Sequence, residues 1–177
     1  RRQRQMCIRD RIEPCEIAAE GDAVSTETEQ LSDIETGAGR EADAIFATEN
    51  TAKYQILADN AGQDKTVRLH ISGKKDAHMA GSVEIVVKEN STLTVVMDSR
   101  VAPDATKEED STAEASLAVR VRMKVESGAS VRLIQVQMPQ EHETLLSDIG
   151  GDLIGEGAKV EYIQLFLGKG NLYSGCR

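Results

Sequence analysis

Thiols are the first candidates for chemistry in this sequence, because a thiolate binds iron and attacks sulfur donors. Cys176 lies in the stretch NLYSGCR near the end of the sequence. A single cysteine cannot hold a metal cluster, and we therefore interpret Cys176 as a buried structural thiol. Cys15 lies between Glu13 and Glu16, whose negative charges should raise the pKa of its thiol and make it less reactive.

The three histidines could supply imidazole groups for acid–base or metal chemistry. His70 lies in the strand-like stretch TVRLHIS, so its side chain should face away from its two apolar neighbours. His78 and His142 lie in polar stretches, and no two histidines have the spacing of metal ligands. The GKG at Gly168–Gly170 lacks the rest of a phosphate-binding loop and is typical of a turn. We therefore assign no catalytic, cofactor-binding or metal-binding residues.

The first eleven residues, RRQRQMCIRDR, are basic, whereas the sequence that follows is acidic. A binding arm or a transit peptide could have this composition, but a transit peptide should continue as a basic, Ser-rich helix, and acidic residues follow from Glu13 to Glu29. A DNA string that encodes Arg1–Asp10 and begins the codon of Arg11 resembles the adapter and mosaic end of transposon-based sequencing libraries. We interpret residues 1–11 as a translated adapter, which leaves the true N-terminus missing.

Charge and cysteine content limit the function of the remaining chain. Residues 1–11 carry five arginines and one aspartate, so without them the formal charge falls from −9 to −13. Such a chain is repelled by nucleic acid and by anionic lipid, and proteins are its expected partners. Too few cysteines remain for a disulfide framework, which fits a reducing cytoplasm. The apolar runs are much shorter than the roughly 20 residues that span a bilayer, so we expect no membrane association.

Composition divides the chain at about residue 50. Residues 12–50 are acidic and weakly periodic, and we interpret them as a linker that contains a short helix. Ala42, Ile45 and Phe46 have helical spacing and begin just after Gly39, which places this helix. Residues 51–177 have β texture throughout and predict an all-β domain.

The stretch LAVRVRMKV has the period of two that is typical of a half-buried strand. The apolar positions should face the core, and the basic positions should form a solvated outer face rather than a patch for an acidic partner. The apolar set is Val119, Val121, Met123 and Val125, and the basic set is Arg120, Arg122 and Lys124.

Three stretches, KENSTLTVVM, ESGASVRLIQ and GEGAKVEYIQ, repeat one another. Asn90, Gly128 and Gly157 share one position, which favours a left-handed corner between two strands. Such repeats indicate stacked units, as in a β-solenoid, with an antiparallel β-sandwich as the alternative. The solenoid predicts parallel pairing with Gln135 beside Gln164, where identical amides can form a ladder. The predicted successive units are Val83–Met97, Leu117–Val136 and Leu153–Leu167, and the polar stretch SRVAPDATKEEDSTAEAS should be a loop.

The stretches ADNAGQDKTVRLHIS, VVKENSTLTVVMD, VESGASVRLIQVQMPQ and IGEGAKVEYIQLFLGKGNLYSG resemble the core domain of the SufB/SufD family, and SufD-type members in particular. The resemblance runs from about Glu41 to the end and implies that residues 51–177 are the N-terminal portion of a right-handed parallel β-helix. It implies a scaffold of SUF iron–sulfur cluster assembly that pairs with a SufB-like paralogue and a SufC-like ATPase. The family's His-Gly segment and Ser-Arg-Gly end should lie beyond Arg177, so the chain is expected to be truncated at both ends.

The resemblance predicts a cytoplasmic scaffold that is not an enzyme. It implies no cofactor in this portion, and any transient iron–sulfur cluster would belong to the intact complex. The alternative is a carbohydrate-active or adhesive β-solenoid. That class usually has aromatic platforms or clustered Asp and basic residues, whereas this chain has no Trp and three Tyr.

Overall fold

The structure is a computed structural model that describes residues 12–22, 31–47, 50–102 and 114–177. The predicted adapter at residues 1–11 lies outside the described residues. Within these ranges the chain forms eleven strands and one short helix. They are β1 (Ile12–Pro14), β2 (Glu16–Gly21), α1 (Arg40–Phe46), β3 (Ala52–Ala58), β4 (Asp64–Ser72), β5 (His78–Val87), β6 (Thr92–Arg100), β7 (Ala115–Val125), β8 (Ser130–Gln137), β9 (Glu143–Leu153), β10 (Lys159–Phe166) and β11 (Asn171–Cys176).

The strands form two sheets, and the chain crosses from one to the other as it proceeds. The first sheet has the order β1–β5–β7–β9–β11, and β3 also pairs with β5. The second sheet has the order β10–β8–β6–β4–β2. All neighbouring strands are parallel except β2, which is antiparallel to β4. The prediction of an all-β chain is confirmed, and the parallel pairing contradicts an antiparallel β-sandwich.

The repeat-to-repeat register is the one that the sequence predicts. Val131 lies beside Val160, and Gln135 lies beside Gln164, in the parallel pair of β8 and β10. Asn90 and Gly128, which precede β6 and β8, both have positive φ, at 57° and 67°. A Cβ on Gly128 would lie 2.4 Å from the Asn90 side-chain oxygen, so a larger residue would displace that side chain, and the positive φ also favours glycine there.

The core lies between the two sheets and is almost entirely aliphatic. Alternate residues of β7 point into it, and Val121, Met123 and Val125 are at most 2% exposed. Equivalent positions of the neighbouring parallel strands meet these side chains, as Val83 does for Val121. Burying such side chains contributes about 1.5 to 3 kcal/mol each, which explains why strict alternation determines the register of these strands.

Residues 12–21 form two strands rather than the predicted linker. β1 extends the first sheet beside β5, and β2 closes the edge of the second sheet beside β4. Ile17 and Ala19 of β2 pack against the core, whereas Ala18 between them and the flanking Glu16 and Glu20 are exposed. The acidic composition of this segment therefore reflects its outward positions, and its period of two is that of an edge strand.

The predicted helix is present as α1, which begins directly after Gly39, whose φ is 78°. Ile45 and Phe46 pack against Ala80 and Ala118, which lie on the outer face of the first sheet.

The predicted loop after β6 falls largely on residues 103–113, which lie outside the described residues. No helix in the part of the chain that the structure describes is long and apolar enough to cross a bilayer.

Candidate functional site: a groove beside the N-terminal helix

A groove of about 690 Å³ lies on the outer face of the first sheet, beside α1. One wall is formed by Ala42 and Ile45 of α1 together with Ala38 of the preceding loop. The floor crosses the sheet from Ile12 on β1 to Tyr173 on β11. Its volume is in the range of ligand sites, which makes the groove the candidate functional site of this chain.

The groove floor carries a polar column and an apolar column. His78, Ser116 and Thr144 lie at one register of β5, β7 and β9 and line the groove. Two residues further along the strands, Ala118 and Leu146 share a second register, which Tyr173 continues on β11. Because each column follows the direction of strand stacking, its side chains are about 4.8 Å apart. The floor therefore offers hydrogen-bonding groups beside an apolar stripe.

His78 and Ser116 are the polar pair within this groove. The Nδ1 atom of His78 lies 2.7 Å from the Ser116 hydroxyl oxygen. A nucleophilic serine also needs donors for an oxyanion, but the nearby Gly37 and Ala38 amides already donate to Ile149 O and Asp148 Oδ1. Those two amides are therefore not available to an oxyanion, whereas the pair lines the groove with hydrogen-bonding groups.

Arg120 anchors the wall of the groove from below. The sequence predicts Arg120, Arg122 and Lys124 on a solvated face, and this prediction is wrong for Arg120, whose side chain is 4% exposed. Arg120 Nε donates to Asp148 Oδ2 at 2.7 Å, and Asp148 is itself fully buried. Burial is possible because the loop before α1 and α1 itself cover this part of the outer face.

Asp148 and Arg120 together bind both the loop and the helix. Asp148 Oδ2 accepts a hydrogen bond from Thr36 Oγ1 at 2.7 Å, and Oδ1 accepts one from the Ala38 amide at 2.8 Å. Arg120 Nη2 donates to Asp43 of α1 at 2.7 Å, and the guanidinium carbon lies 4.2 Å from the centre of the Phe46 ring. These contacts preorganise the wall, since the loop and the helix supply the remaining partners of the buried Arg120–Asp148 pair.

Arg122 is only partly exposed. Its Nε donates to the carbonyl oxygen of Ile34 at 3.1 Å. Burial lowers the pKa of the Arg122 guanidinium, and the neighbouring Arg120 charge lowers it further. Lys124 is also half-buried, so the predicted basic stripe is not a continuous solvated surface.

The structure confirms the prediction for Cys15 and contradicts the one for Cys176. Cys15 lies in the chain between β1 and β2 and is buried in the core, and burial raises the pKa of its thiol to about 12, with a smaller contribution from the charge of Glu16. The predicted direction is confirmed, but desolvation is the main cause. Cys176 is exposed at the end of β11, which contradicts its interpretation as a buried thiol.

The histidines outside the groove form no metal centre. His70 faces away from the buried Leu69 and Ile71, as predicted, and its ring nitrogens face Asp98 and Glu20. His142 has a φ of 68° and lies in the turn before β9. No group of three or more potential metal ligands occurs among the residues whose placement is described.

The stacked glutamines point into the core, but their amides do not form the simple ladder that their register allows. Gln164 donates to Gln137 Oε1 at 2.7 Å rather than to Gln135. Gln135 Oε1 instead accepts hydrogen bonds from Ser147 at 2.9 Å and from Tyr162 at 3.0 Å. These bonds satisfy polar groups at the boundary between the aliphatic core and the last strands.

The groove and its buried anchor could not be found from local patterns, because Arg120 and Asp148 are on separate strands. A usable signal exists in the repeat register, which places an acid of LLSDIGG beside an arginine of LAVRVRMKV. Comparison with protein-family models, characterised proteins and solved structures finds no match to this chain.

Proposed function

We propose that the protein is a non-catalytic scaffold of the SufB/SufD type and that its two sheets belong to a right-handed parallel β-helix. The observation that supports this proposal is the parallel register of the repeats. Val131 lies beside Val160, and Gln135 beside Gln164, where the stretches that resemble the family superpose. A β-helix with stacked corners produces such a register naturally, because each turn repeats the preceding one.

The proposed setting is cytoplasmic iron–sulfur cluster assembly. In this proposal the chain pairs with a SufB-like paralogue, and a SufC-like ATPase supplies ATP hydrolysis. The chain contributes shape and binding surface rather than cluster ligands, so a transient cluster would reside on the intact complex. The preorganised groove and the net charge of −9 both fit a protein that binds other proteins.

The decisive experiment is complex formation with purified components. The full chain is mixed with a SufB-type subunit and a SufC-type ATPase, and the masses of the products are measured by size-exclusion chromatography with light scattering. We expect a complex that contains the SufB-type subunit, and an unrelated β-solenoid of similar charge serves as the control. Failure to bind either component, together with binding to a glycan array, would instead support the carbohydrate-active or adhesive alternative.

A further inference from the structure

The length of the groove matches a helix of three to four turns. Its floor extends from Ile12 on β1 to Tyr173 on β11, across five adjacent strands. Four strand spacings of about 4.8 Å give a length of about 19 Å. A helix that rises 1.5 Å per residue covers this length with about 13 residues.

The first sheet already binds one helix on the same face. Ile45 and Phe46 of α1 pack against Ala80 and Ala118, so small residues on the outer face let a helix approach closely. Beyond α1 the apolar stripe continues through Leu146 to Tyr173, which is 62% exposed. The groove therefore provides the surface for a second helix beside α1.

The side chains that line the groove determine which side chains a bound helix must present to it. The apolar stripe requires apolar side chains at helical spacing, and the column of Ser116 and Thr144 offers hydrogen bonds along one side. Glu41 is the only carboxylate, and no Lys or Arg occurs, among the described residues that line the groove. The nearby Arg120 is bound to Asp148 and Asp43, so the groove favours a cationic occupant.

We propose that this groove binds an amphipathic helix of a partner protein, with an apolar face of three to four turns and Lys or Arg directed to Glu41. Charge complementarity favours such a partner over a second copy of this chain, whose net charge is −9. The inference is independent of the proposed role in cluster assembly, since it requires only the groove and its lining.

The test uses model peptides and the full chain. Three fluorescein-labelled peptides of about 14 residues are compared by fluorescence anisotropy at near-physiological salt: an amphipathic Leu/Lys helix, its Leu/Glu counterpart, and a scrambled Leu/Lys peptide with no apolar face. We expect saturable binding of the amphipathic Leu/Lys helix alone. Equal binding of the scrambled peptide would overturn the proposal, because it would show attraction by net charge without use of the groove.

Two groove-filling variants locate the binding site. Ser116→Phe and Thr144→Phe should each weaken binding at least about tenfold, since an aromatic ring occupies the floor. Ser72→Phe makes the matched change on the outer face of the second sheet and should leave binding within about twofold. Circular dichroism verifies that each variant is folded. If one of the two filling variants does not fold, the other still tests the groove.

The charge requirement is tested separately. Glu41→Gln should weaken binding of the Leu/Lys helix about threefold, and the loss should diminish at high salt. Glu89→Gln, an equal charge change at an exposed turn, is the control and should have no such effect.

Unchanged affinity in both filling variants, Ser116→Phe and Thr144→Phe, would overturn the assignment to the groove. Dimers of the chain that dissociate in Ser116→Phe would assign the groove to a second copy instead.

Discussion

Arg120 and Asp148 are paired positions on the adjacent parallel strands β7 and β9, and their buried ion pair joins these strands to the segment that forms the groove wall. Asp148 is fully buried, and its two oxygens also accept bonds from Thr36 and Ala38. A pair of this kind does not by itself add stability, because desolvation offsets much of the Coulomb attraction. The pair instead favours one placement of the loop and helix over the sheet, because only that placement supplies the partners Thr36, Ala38 and Asp43.

Removing one member of this pair should therefore be costly. Arg120→Met leaves the Asp148 carboxylate buried without its cation and should lower the free energy of unfolding by about 3 to 5 kcal/mol. Arg132→Met, which breaks the exposed pair with Glu161, is the matched control and should cost less than about 1 kcal/mol. Urea denaturation of both variants measures the difference. Equal losses would show that the buried pair does not hold the segment in place.

Val121 and Arg122 are neighbours on β7 whose side chains point to opposite faces of the sheet. Val121 is fully buried, so Val121→Asp places a carboxylate in the core and should cost several kcal/mol or prevent folding. Arg122→Asp removes a hydrogen bond to Ile34 O from a partly exposed position and should cost only about 1 kcal/mol. Thermal unfolding followed by circular dichroism compares the two variants. A larger loss in Arg122→Asp would contradict the register of β7.

Local pattern was sufficient for the inward residues of β7 but not for its outward residues. Val121 and Val125 recur with the period of a strand and have only one face to occupy, so their burial follows from sequence alone. Arg120 and Arg122 have the same local pattern and differ only in what covers them. The cover of Arg120 comes from Asp43 and from Asp148, 77 and 28 residues away. Such contacts depend on the tertiary fold and leave no periodic signal.

Composition failed for residues 12–21 for a related reason. Exposed positions dominate the composition of an edge strand, and the acids at Glu16 and Glu20 concealed the apolar alternation at Ile17 and Ala19. The burial of Cys15 follows from this placement, because a Cβ on Gly81 would lie 2.3 Å from its sulfur atom. Within only ten residues, the apolar alternation covers too few positions to be recognised beside the acidic residues.

Thiol reactivity should distinguish Cys15 from Cys176. Burial raises the pKa of Cys15 from 9.0 to about 12, which lowers its thiolate fraction at neutral pH about a thousandfold, and the surrounding strands also block access. In a Cys7→Ser background, we expect Cys176 to react rapidly with a disulfide reagent and Cys15 to react only after denaturation with urea. The Cys176→Ser variant reports Cys15 alone. Rapid native-state reaction in that variant would contradict the placement of β1 and β2.

Glu143 should make stability depend on pH. Burial raises the pKa of its carboxyl, and backbone hydrogen bonds from Gln140 and Ala102 only partly oppose this effect. The folded chain therefore holds the proton to higher pH than the unfolded chain. The free energy of unfolding should fall as the pH rises from the unfolded pKa through the raised folded pKa.

The variant Glu143→Gln removes this titration but keeps an oxygen that can accept the Gln140 hydrogen bond, which is 2.6 Å long in the parent. We expect urea denaturation between about pH 4 and about pH 7 to show a smaller decline in stability with rising pH than in the parent. Glu141→Gln, in the exposed part of the same turn, is the control and should retain the parent's profile. Identical profiles for the parent and Glu143→Gln would contradict the raised pKa.

The strands β10 and β11 are the last strands of the two sheets in the described part of the chain. Leu165 and Leu167 are 45% and 68% exposed, and they lie beside backbone groups with no neighbouring strand. Unprotected edges with apolar side chains tend to pair with other edges, so the chain should self-associate as its concentration rises despite its net negative charge. The double change Leu165→Lys and Leu167→Lys should shift it toward monomer, since lysines blunt an edge.

Size-exclusion chromatography with light scattering over a concentration series measures this shift. Thr94→Lys on the central strand β6 is the control, because it adds a positive charge to an outer face away from both edges and should leave self-association unchanged. A parent chain that remains monomeric at every concentration would contradict the prediction. Equal dissociation by Thr94→Lys and by the double lysine variant would also contradict the prediction, because a lysine away from both edges only reduces the net negative charge and should not by itself promote dissociation.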